Sequence, residues 1–440
     1  MNTNQVYSNI LYKIVALTLT ILFLSPSMTR AEERDSVIVS LITCAPGADV
    51  YRLCGHEAIR VRGAEVDSVW NYGLFDFEQP NFVYRFVSGE TDYMLGAFPY
   101  RVFMLEYYME NRTVYEQDLN LTQAEAHKLL GMLRTESLPE NCTYRYNYVL
   151  DNCATRILDR LDEATDRKII YPDSASYGTF RKVMRHYHRD YPWYQFGIDL
   201  ALGSGIDVPI TARAEMFAPP EMMKGAAGAE FDDGTPLVSA TRELYIGAED
   251  ATLGPTPAWQ SPLAVSIVLL ILSALLLLYE LRTGNIPRWA YSLWFFILGI
   301  AGCIIAFLVF VSSHEATSPN ILLLWLNPLQ LIPAITVWWR GLNKVTLSMM
   351  VYDIIIPMLM LLLWPLQMQS GNPAIFPLLG VTVLLALGYA IISYKNSYKY
   401  NVSLRNNEKV SNNGTGRTGK SRSSGTGGRR ETQTRGRNRR

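Results

Sequence analysis

Residues 263–279 read LAVSIVLLILSALLLLY, a stretch of seventeen residues without a single charged side chain. Four further apolar stretches follow it, at residues 291–311, 321–338, 347–366 and 374–394. Each comes close to the roughly 20 residues that an α-helix needs to cross a bilayer. The sequence therefore predicts an all-α bundle of about five transmembrane helices over residues 259–394.

The segments that join these stretches alternate in charge. Arg282 and Arg288 lie in the first connection, Arg340 and Lys344 in the third, and a basic tail follows the last stretch. The second and fourth connections, residues 312–320 and 367–373, contain no Lys or Arg. Because positive residues mark the cytoplasmic side, we expect the tail to be cytoplasmic and the chain before the bundle to be outside.

The charge of the whole chain hides a division between the tail and the rest. It has 40 Lys and Arg against 40 Asp and Glu, yet residues 394–440 contain thirteen basic and two acidic side chains. A basic segment directly after a membrane span favours contact with anionic lipid over nucleic acid. Residues 395–440 are rich in Gly, Ser, Asn and Arg, which predicts a disordered cytoplasmic tail.

The N-terminus has the features of an export signal. Lys13 precedes an apolar run over residues 14–24, and residues 29–31 (TRA) form a candidate cleavage site. The run is short for a membrane span, so we expect residues 1–31 to be a secretory signal peptide, with an uncleaved signal anchor as the alternative. Both interpretations export the chain that follows.

Residues 32–258 are predicted to form an exported α+β domain. Residues 36–43, 56–62, 67–72 and 113–119 have the alternation or β-rich composition of strands. Thr122 and Glu125 form a capping box, which predicts a helix over residues 123–134. Residues 151–161 carry apolar side chains at helical spacing and predict a second helix.

Two short stretches of this domain contain residues suited to catalysis. Residues 54–61 read CGHEAIRV and place His56 at the start of a strand, whereas residues 151–157 read DNCATRI and place Cys153 in the first turn of a helix. The helix dipole is expected to lower the pKa of a thiol at this position. A histidine from a neighbouring strand could then serve as its base, although a buried thiol and a structural histidine are the plain alternatives.

The order of strand histidine and helix cysteine resembles the circularly permuted NlpC/P60 class of papain-like domains. Within that class the chain is similar to the Lnb family of lipoprotein N-acyltransferases, in which an exported thiol domain is joined to a membrane bundle. The resemblance is carried by residues 41–47 (LITCAPG), 55–61 (GHEAIRV), 70–77 (WNYGLFDF), 80–82 (PNF), 146–156 (YNYVLDNCATR), His314 and residues 320–328 (NILLLWLNP). It implies that Cys153 is the nucleophile and that His56 is its base.

The third catalytic group remains open among three residues. Asn71 is the best-placed polar side chain on the next strand, since its carbonyl could hold the imidazole in one tautomer, and Tyr72 and Asp76 are alternatives. Asn152 could contribute to an oxyanion site or could simply cap the helix.

Four residues are predicted to contact substrate: His314, Asn320, Tyr72 and Asn152. His314 and Glu315 lie in the exported connection after the second span, where a polar interfacial loop is the alternative. His186 and His188 lie among several basic residues, which indicates a solvated basic helix or loop.

Other cofactors and sites have little support. No CxxC or HExxH sequence occurs, and we expect neither a metal nor a cofactor. Five cysteines are too few for a disulfide scaffold, and a pairing among Cys44, Cys54 and Cys142 is left open.

The resemblance implies a reaction at the bacterial inner membrane, with the catalytic domain on the periplasmic side. An acyl chain would pass from a phospholipid through a Cys153 thioester to the N-terminal cysteine amine of a diacylated lipoprotein. The alternatives are a peptidoglycan endopeptidase of the NlpC/P60 type and a membrane sensor or scaffold without catalysis. The oligomeric state stays open.

Overall fold

The computed structural model describes Lys13 and residues 36–415, other than residues 76, 77, 79, 91, 174, 249–254, 367 and 368. Apart from Lys13, the predicted signal peptide, residues 1–31, lies outside the described residues, as does the end of the predicted tail, residues 416–440. All five cysteines are free thiols.

The exported domain is built on a seven-stranded sheet in the order β6-β4-β3-β2-β1-β5-β9, in which neighbouring strands are antiparallel. Its strands are β1 (Val37–Cys44), β2 (His56–Gly63), β3 (Asp67–Leu74), β4 (Asp92–Pro99), β5 (Val114–Leu119), β6 (Thr143–Arg145) and β9 (Val238–Tyr245). A small second sheet pairs β7 (Ile169–Ile170) with β8 (Glu230–Phe231). The four strands predicted from alternation are confirmed.

Eight helices accompany the sheet in the described part of this domain. They are α1 (Phe82–Ser88), α2 (Tyr100–Met109), α3 (Gln123–Glu136), α4 (Cys153–Ala164), α5 (Phe180–Tyr187), α6 (Pro192–Ala201), α7 (Ala212–Glu215) and α8 (Pro219–Ala227). The predicted capping box at α3 is confirmed, because Thr122 Oγ1 accepts from Glu125 N and the Glu125 carboxylate accepts from Thr122 N. The α+β class is confirmed as well.

The sheet is covered on both faces, which makes its central strands the rigid part of the domain. On one face Leu129 of α3 and Leu158 of α4 share an apolar core with Ile59 of β2. On the other face Met104 of α2 shares a second apolar core with Ala58 of β2. Strand β2 is therefore held from both sides, and the residues at its start have fixed positions.

The membrane bundle contains α9 (Pro262–Thr283), α10 (Arg288–Phe310), α11 (Leu331–Thr336), α12 (Asn343–Leu363) and α13 (Ile375–Thr415). Four helical segments of the described chain are long and apolar enough to cross a membrane. The third of the predicted spans is not one long helix: it consists of the short turns Ile321–Leu324 and Pro328–Gln330 followed by α11.

The third apolar stretch is interrupted at Asn327 and Pro328. The Asn327 side chain accepts from Leu329 N at 3.0 Å and starts a new turn, while Pro328 has no backbone N–H to continue the earlier one. Irregular backbone is tolerated at membrane depth where protein covers it, and Leu322 and Trp325 of this stretch are buried.

The chain nevertheless passes five times between the two ends of the bundle. At the start of the third stretch, the Asn320 amide donates to Leu200 O of the exported domain. After its end, Arg340 borders a cavity together with Gly284 and Arg288, the connection between α9 and α10 at the far end of the bundle. The broken third stretch therefore still connects the two ends, as the alternating charges predict.

The last helix continues beyond the predicted end of the bundle. Helix α13 runs to Thr415, so the prediction of a disordered tail is wrong for residues 395–415. This part of the chain has no proline and no glycine before Gly414. Once a helix is formed, each added residue costs little, and nothing in this sequence stops the helix earlier.

Candidate active site

Cys153 is the first residue of α4, and its position is set by the helix cap. Asn152 Oδ1 accepts from Ala154 N at 2.9 Å and from Thr155 N at 3.0 Å. The amide nitrogen of Asn152 donates to Tyr148 O and to Phe217 O. Since the side chain is fully engaged in these bonds, Asn152 is the cap of the helix, and its contact with substrate stays a prediction.

The electrostatics of Cys153 differ from the expectation. Burial raises the pKa of the Cys153 thiol to about 12, although the backbone N–H groups of Glu57, Ala154 and Cys153 itself act in the opposite direction. The predicted lowering by the helix terminus is therefore wrong, because the desolvation of a thiolate outweighs the stabilisation by these donors. At neutral pH the Cys153 side chain is therefore a neutral thiol.

Glu57 follows His56 on β2 and is fully buried. Burial raises the pKa of its carboxyl group well above the usual range. A carboxylate next to Cys153 would oppose thiolate formation, and the neutral acid removes most of that repulsion.

His56 is held by the amide of Asn71. The His56 Nε2 to Asn71 Oδ1 distance is 2.5 Å, and because a carbonyl oxygen only accepts, Nε2 carries the proton and Nδ1 is left as the basic nitrogen. Burial lowers the pKa of His56 to about 4, partly offset by the bond to Asn71. The imidazole is therefore neutral at physiological pH.

His56 and Cys153 line one cavity of about 380 Å³. Among the described residues no hydrogen bond joins the two side chains. The wall is largely aromatic, and its lining includes Tyr51, Phe75, Phe86, Tyr93, Tyr107, Tyr146, Tyr148 and Tyr194. Arg52, Glu106 and Arg112 also belong to the lining. A neutral thiol and a neutral imidazole thus face a space with aromatic and charged walls, which suits a reaction on an acyl group.

The bundle contributes His314 to this cavity. His314 precedes the short turn Glu315–Thr317 after α10, and its Nε2–H donates to Phe86 O at 2.9 Å. The exported domain and the membrane domain therefore meet at the cavity, and a residue of the bundle forms part of its wall.

Asn320 lies outside the cavity lining. Its amide nitrogen donates to Leu200 O at 2.9 Å, and its carbonyl oxygen accepts from Leu322 N and from Gln369 Nε2. Asn320 therefore joins the exported domain to two segments of the bundle, and its contact with substrate stays a prediction.

Tyr72 and Asp76 were the alternatives for the third catalytic group. Tyr72 is buried in the core, and its hydroxyl donates to Glu136 Oε2 at 2.5 Å, away from the cavity. Tyr72 is therefore neither the orienting group nor a substrate contact. Asp76 lies outside the described residues.

The structure also reveals a second thiol near the cavity that spacing did not single out. Cys54 Sγ lies 3.1 Å from the Tyr148 hydroxyl and 3.9 Å from His188 Nε2, and His188 Nδ1 lies 2.8 Å from Gln195 Oε1. His188 is fully buried. The prediction of a solvated basic segment is wrong here, and no spacing rule links residues 134 positions apart.

Two basic residues of the same segment, Arg181 and Arg185, form ion pairs. Arg181 is fully buried and forms ion pairs with Asp199 and Asp207. Arg185 bonds both Asp199 and the Ser370 hydroxyl of the bundle. Helix α5 therefore helps to seat the exported domain on the bundle.

The neutral resting state of Cys153 predicts slow alkylation. Iodoacetamide is expected to modify Cys153 slowly at pH 7 and about tenfold faster per pH unit above it, since the thiolate fraction rises tenfold per unit below the pKa. Peptide mass spectrometry over a pH series measures this, with glutathione as the reference thiol. A fast, pH-independent reaction near pH 7 would instead indicate a preformed thiolate–imidazolium pair.

Comparisons with known proteins agree with this architecture. A family model described as the Lnb N-terminal periplasmic domain matches residues 25–186, and one described as the Lnb transmembrane domain matches residues 255–397. Neither the curated proteins nor the solved structures contain a match. With both domains matched in this order around one cavity, the chain belongs to the Lnb-type lipoprotein N-acyltransferase family.

Proposed function

We propose that this protein is a cysteine-dependent acyltransferase of lipoprotein maturation. It would move a fatty acyl chain from a phospholipid to the N-terminal amine of a diacylated lipoprotein, at the periplasmic face of the inner membrane. The observation that supports this most is that Cys153 and His56 of the exported domain and His314 of the bundle line one aromatic cavity.

In the first half-reaction His56 acts as base and then as acid. Its Nδ1 takes the proton of the Cys153 thiol as Sγ attacks the ester carbonyl carbon of the phospholipid. The carbon–oxygen bond of the ester breaks, and the imidazolium gives its proton to the departing lysophospholipid oxygen. A Cys153 thioester remains, and the imidazole is neutral again.

In the second half-reaction the amine of the lipoprotein attacks the thioester carbonyl. His56 removes a proton from the amine nitrogen, the carbon–sulfur bond breaks, and the proton returns to Cys153. An amide forms on the lipoprotein. Because water would hydrolyse the same thioester, a buried and mostly apolar cavity favours transfer to the amine.

The roles of the other groups follow from their contacts. Asn71 orients His56 and keeps the proton on Nε2, so that Nδ1 can accept from the thiol. The backbone N–H of Glu57 faces Cys153 Sγ and stabilises negative charge there during attack.

The experiment that tests this function uses the full chain in phospholipid vesicles with a synthetic diacylated lipopeptide that has a free N-terminal cysteine amine. Mass spectrometry is expected to show one added acyl chain, in amide linkage, together with lysophospholipid. A lipopeptide with an acetylated amine is the matched control and should gain nothing. Cleavage of muropeptides without acyl transfer would contradict the proposal and favour an endopeptidase. The absence of both activities would favour a sensor or scaffold.

A further inference from the structure

Helix α1 is fastened to the top of the membrane bundle. Ser313 N donates to Ser88 O at 2.9 Å, and His314 Nε2–H donates to Phe86 O at 2.9 Å. Gly89 ends the helix with a φ of +73°, and a Cβ at this position would lie 2.8 Å from Ser313 Oγ. A side chain at position 89 would be strained by the positive φ and would press on Ser313. The position of α1 relative to α10 is therefore well defined.

The exposed side of α1 lies beside the last turn of the membrane-spanning helix α10. The Tyr84 ring lies 6.2 Å from the ring of Phe307, three residues before α10 ends at Phe310. At about 1.5 Å per residue, this is roughly 4 to 5 Å inside the span. Val83 is 74% exposed and Tyr84 is 59% exposed, although both are large and apolar or aromatic.

The other side of α1 begins a series of aromatic rings that leads into the cavity. Neighbouring ring centroids lie 6.0 Å apart for Phe86–Phe82 and for Phe82–Phe75, 5.0 Å for Phe75–Tyr93 and 4.2 Å for Tyr93–Tyr146. Tyr146 and Cys153 line the same cavity. The rings therefore form a continuous apolar wall from α1 to the thiol.

We propose that α1 is inserted in the outer part of the bilayer, and that the rings from Phe86 to Tyr146 guide one acyl chain of a phospholipid from the bilayer to Cys153. The exposed face of α1 is continuous with the side of α10 that carries Phe310, which is itself 76% exposed. Lipid is therefore the occupant that fits this surface, since membrane surrounds α10 at the same depth. The fate of the chain at Cys153 rests on the proposed function, whereas the lipid contact of α1 does not.

A crosslinking experiment tests the lipid contact without requiring catalysis. The photoreactive amino acid p-benzoylphenylalanine replaces Val83 in the full chain, which is reconstituted in vesicles of phosphatidylethanolamine and phosphatidylglycerol containing an alkyne-tagged phospholipid. The control is the same replacement of Ile170, an apolar residue of β7 that is 44% exposed. We expect a tagged lipid adduct at position 83 and only background at position 170. Equal yields, or no adduct at position 83, would overturn the insertion.

A rate comparison tests the guiding role. Val83→Asp is expected to slow acyl transfer from vesicle phospholipid by about tenfold, since an aspartate resists insertion into lipid. The rate with a short-chain, water-soluble ester donor should stay unchanged, as should both rates for the control Ile170→Asp. An unchanged vesicle rate, or an equal loss with both donors, would overturn entry along α1. Adduct formation at position 83 in a chain that transfers no acyl group would contradict the proposed function and still support the lipid contact of α1.

Discussion

Replacing Cys153 with serine is expected to lower the rate of acyl transfer by about 10⁴-fold or more, because loss of the nucleophile removes the covalent route altogether. A serine hydroxyl has nearly the same shape but is a far weaker nucleophile beside a buried imidazole. The helix should still form, since Asn152 supplies the cap through its own side chain. The measurement is the rate of N-acylation of the lipopeptide in vesicles, with circular dichroism to check the fold.

The other exported thiols provide the controls for this variant. Cys142→Ser should keep the wild-type rate, because Cys142 is outside the cavity lining and its thiol lies near Pro139 O and Thr143 Oγ1. Cys54→Ser is the more informative control, since Cys54 Sγ also lies near a histidine, 3.9 Å from His188 Nε2. An acyl adduct trapped on Cys54, with activity retained by Cys153→Ser, would show that the reactive thiol had been assigned to the wrong residue.

His56→Ala is expected to lower the rate about 10³-fold, the range that a general acid–base group contributes. Membrane insertion of the variant should be normal. His56 lies at the start of β2 and, among the described residues, makes no hydrogen bond to the bundle helices. The matched control is His186→Ala, the same change on α5 outside the cavity lining. Normal acylation by His56→Ala would refute the base assignment.

Asn71 variants separate orientation of the imidazole from general damage. The wild-type rate should hold on the acid side until the pH approaches the His56 pKa of about 4, because only neutral imidazole can act as base. Asn71→Leu should lose on the order of 10²-fold at all pH values, since the tautomer is no longer held. Asn71→Asp keeps an acceptor but adds a negative charge, which raises the His56 pKa and moves the acid limb to higher pH. A profile for Asn71→Asp that coincides with the wild type would show that Asn71 does not act on His56.

Local patterns were sufficient for six elements of the exported domain, four strands and two helices. Alternating residues formed β2 and β3, and the Thr122–Glu125 pair started α3 where a capping box should. These signals depend on neighbours within a few residues, so a short segment of sequence is enough to predict the element. The break in the third apolar stretch was not predicted, because hydropathy averages over a window whereas Asn327 and Pro328 act at single positions.

The roles of single polar residues were much harder to predict. Tyr72, Asn152 and Asn320 each looked suited to contact substrate, yet each has its polar atoms bonded within the protein. Asn71 on β3 and His56 on β2 were paired correctly, because adjacent strands leave few choices. Which partner a side chain finds across a long stretch of chain depends on tertiary packing, and no spacing rule contains it.

What the sequence determined by itself was the division of this protein between an exported α+β domain and a membrane bundle that the chain crosses five times. Length, apolarity and charge decide this along one dimension, because a bilayer imposes a fixed thickness and a fixed cost on charge. Only the tertiary structure decided that His314 of the bundle would line the cavity of Cys153, and that Cys153 would rest as a neutral thiol. Both depend on burial, which is a property of the packed molecule and not of any segment of it.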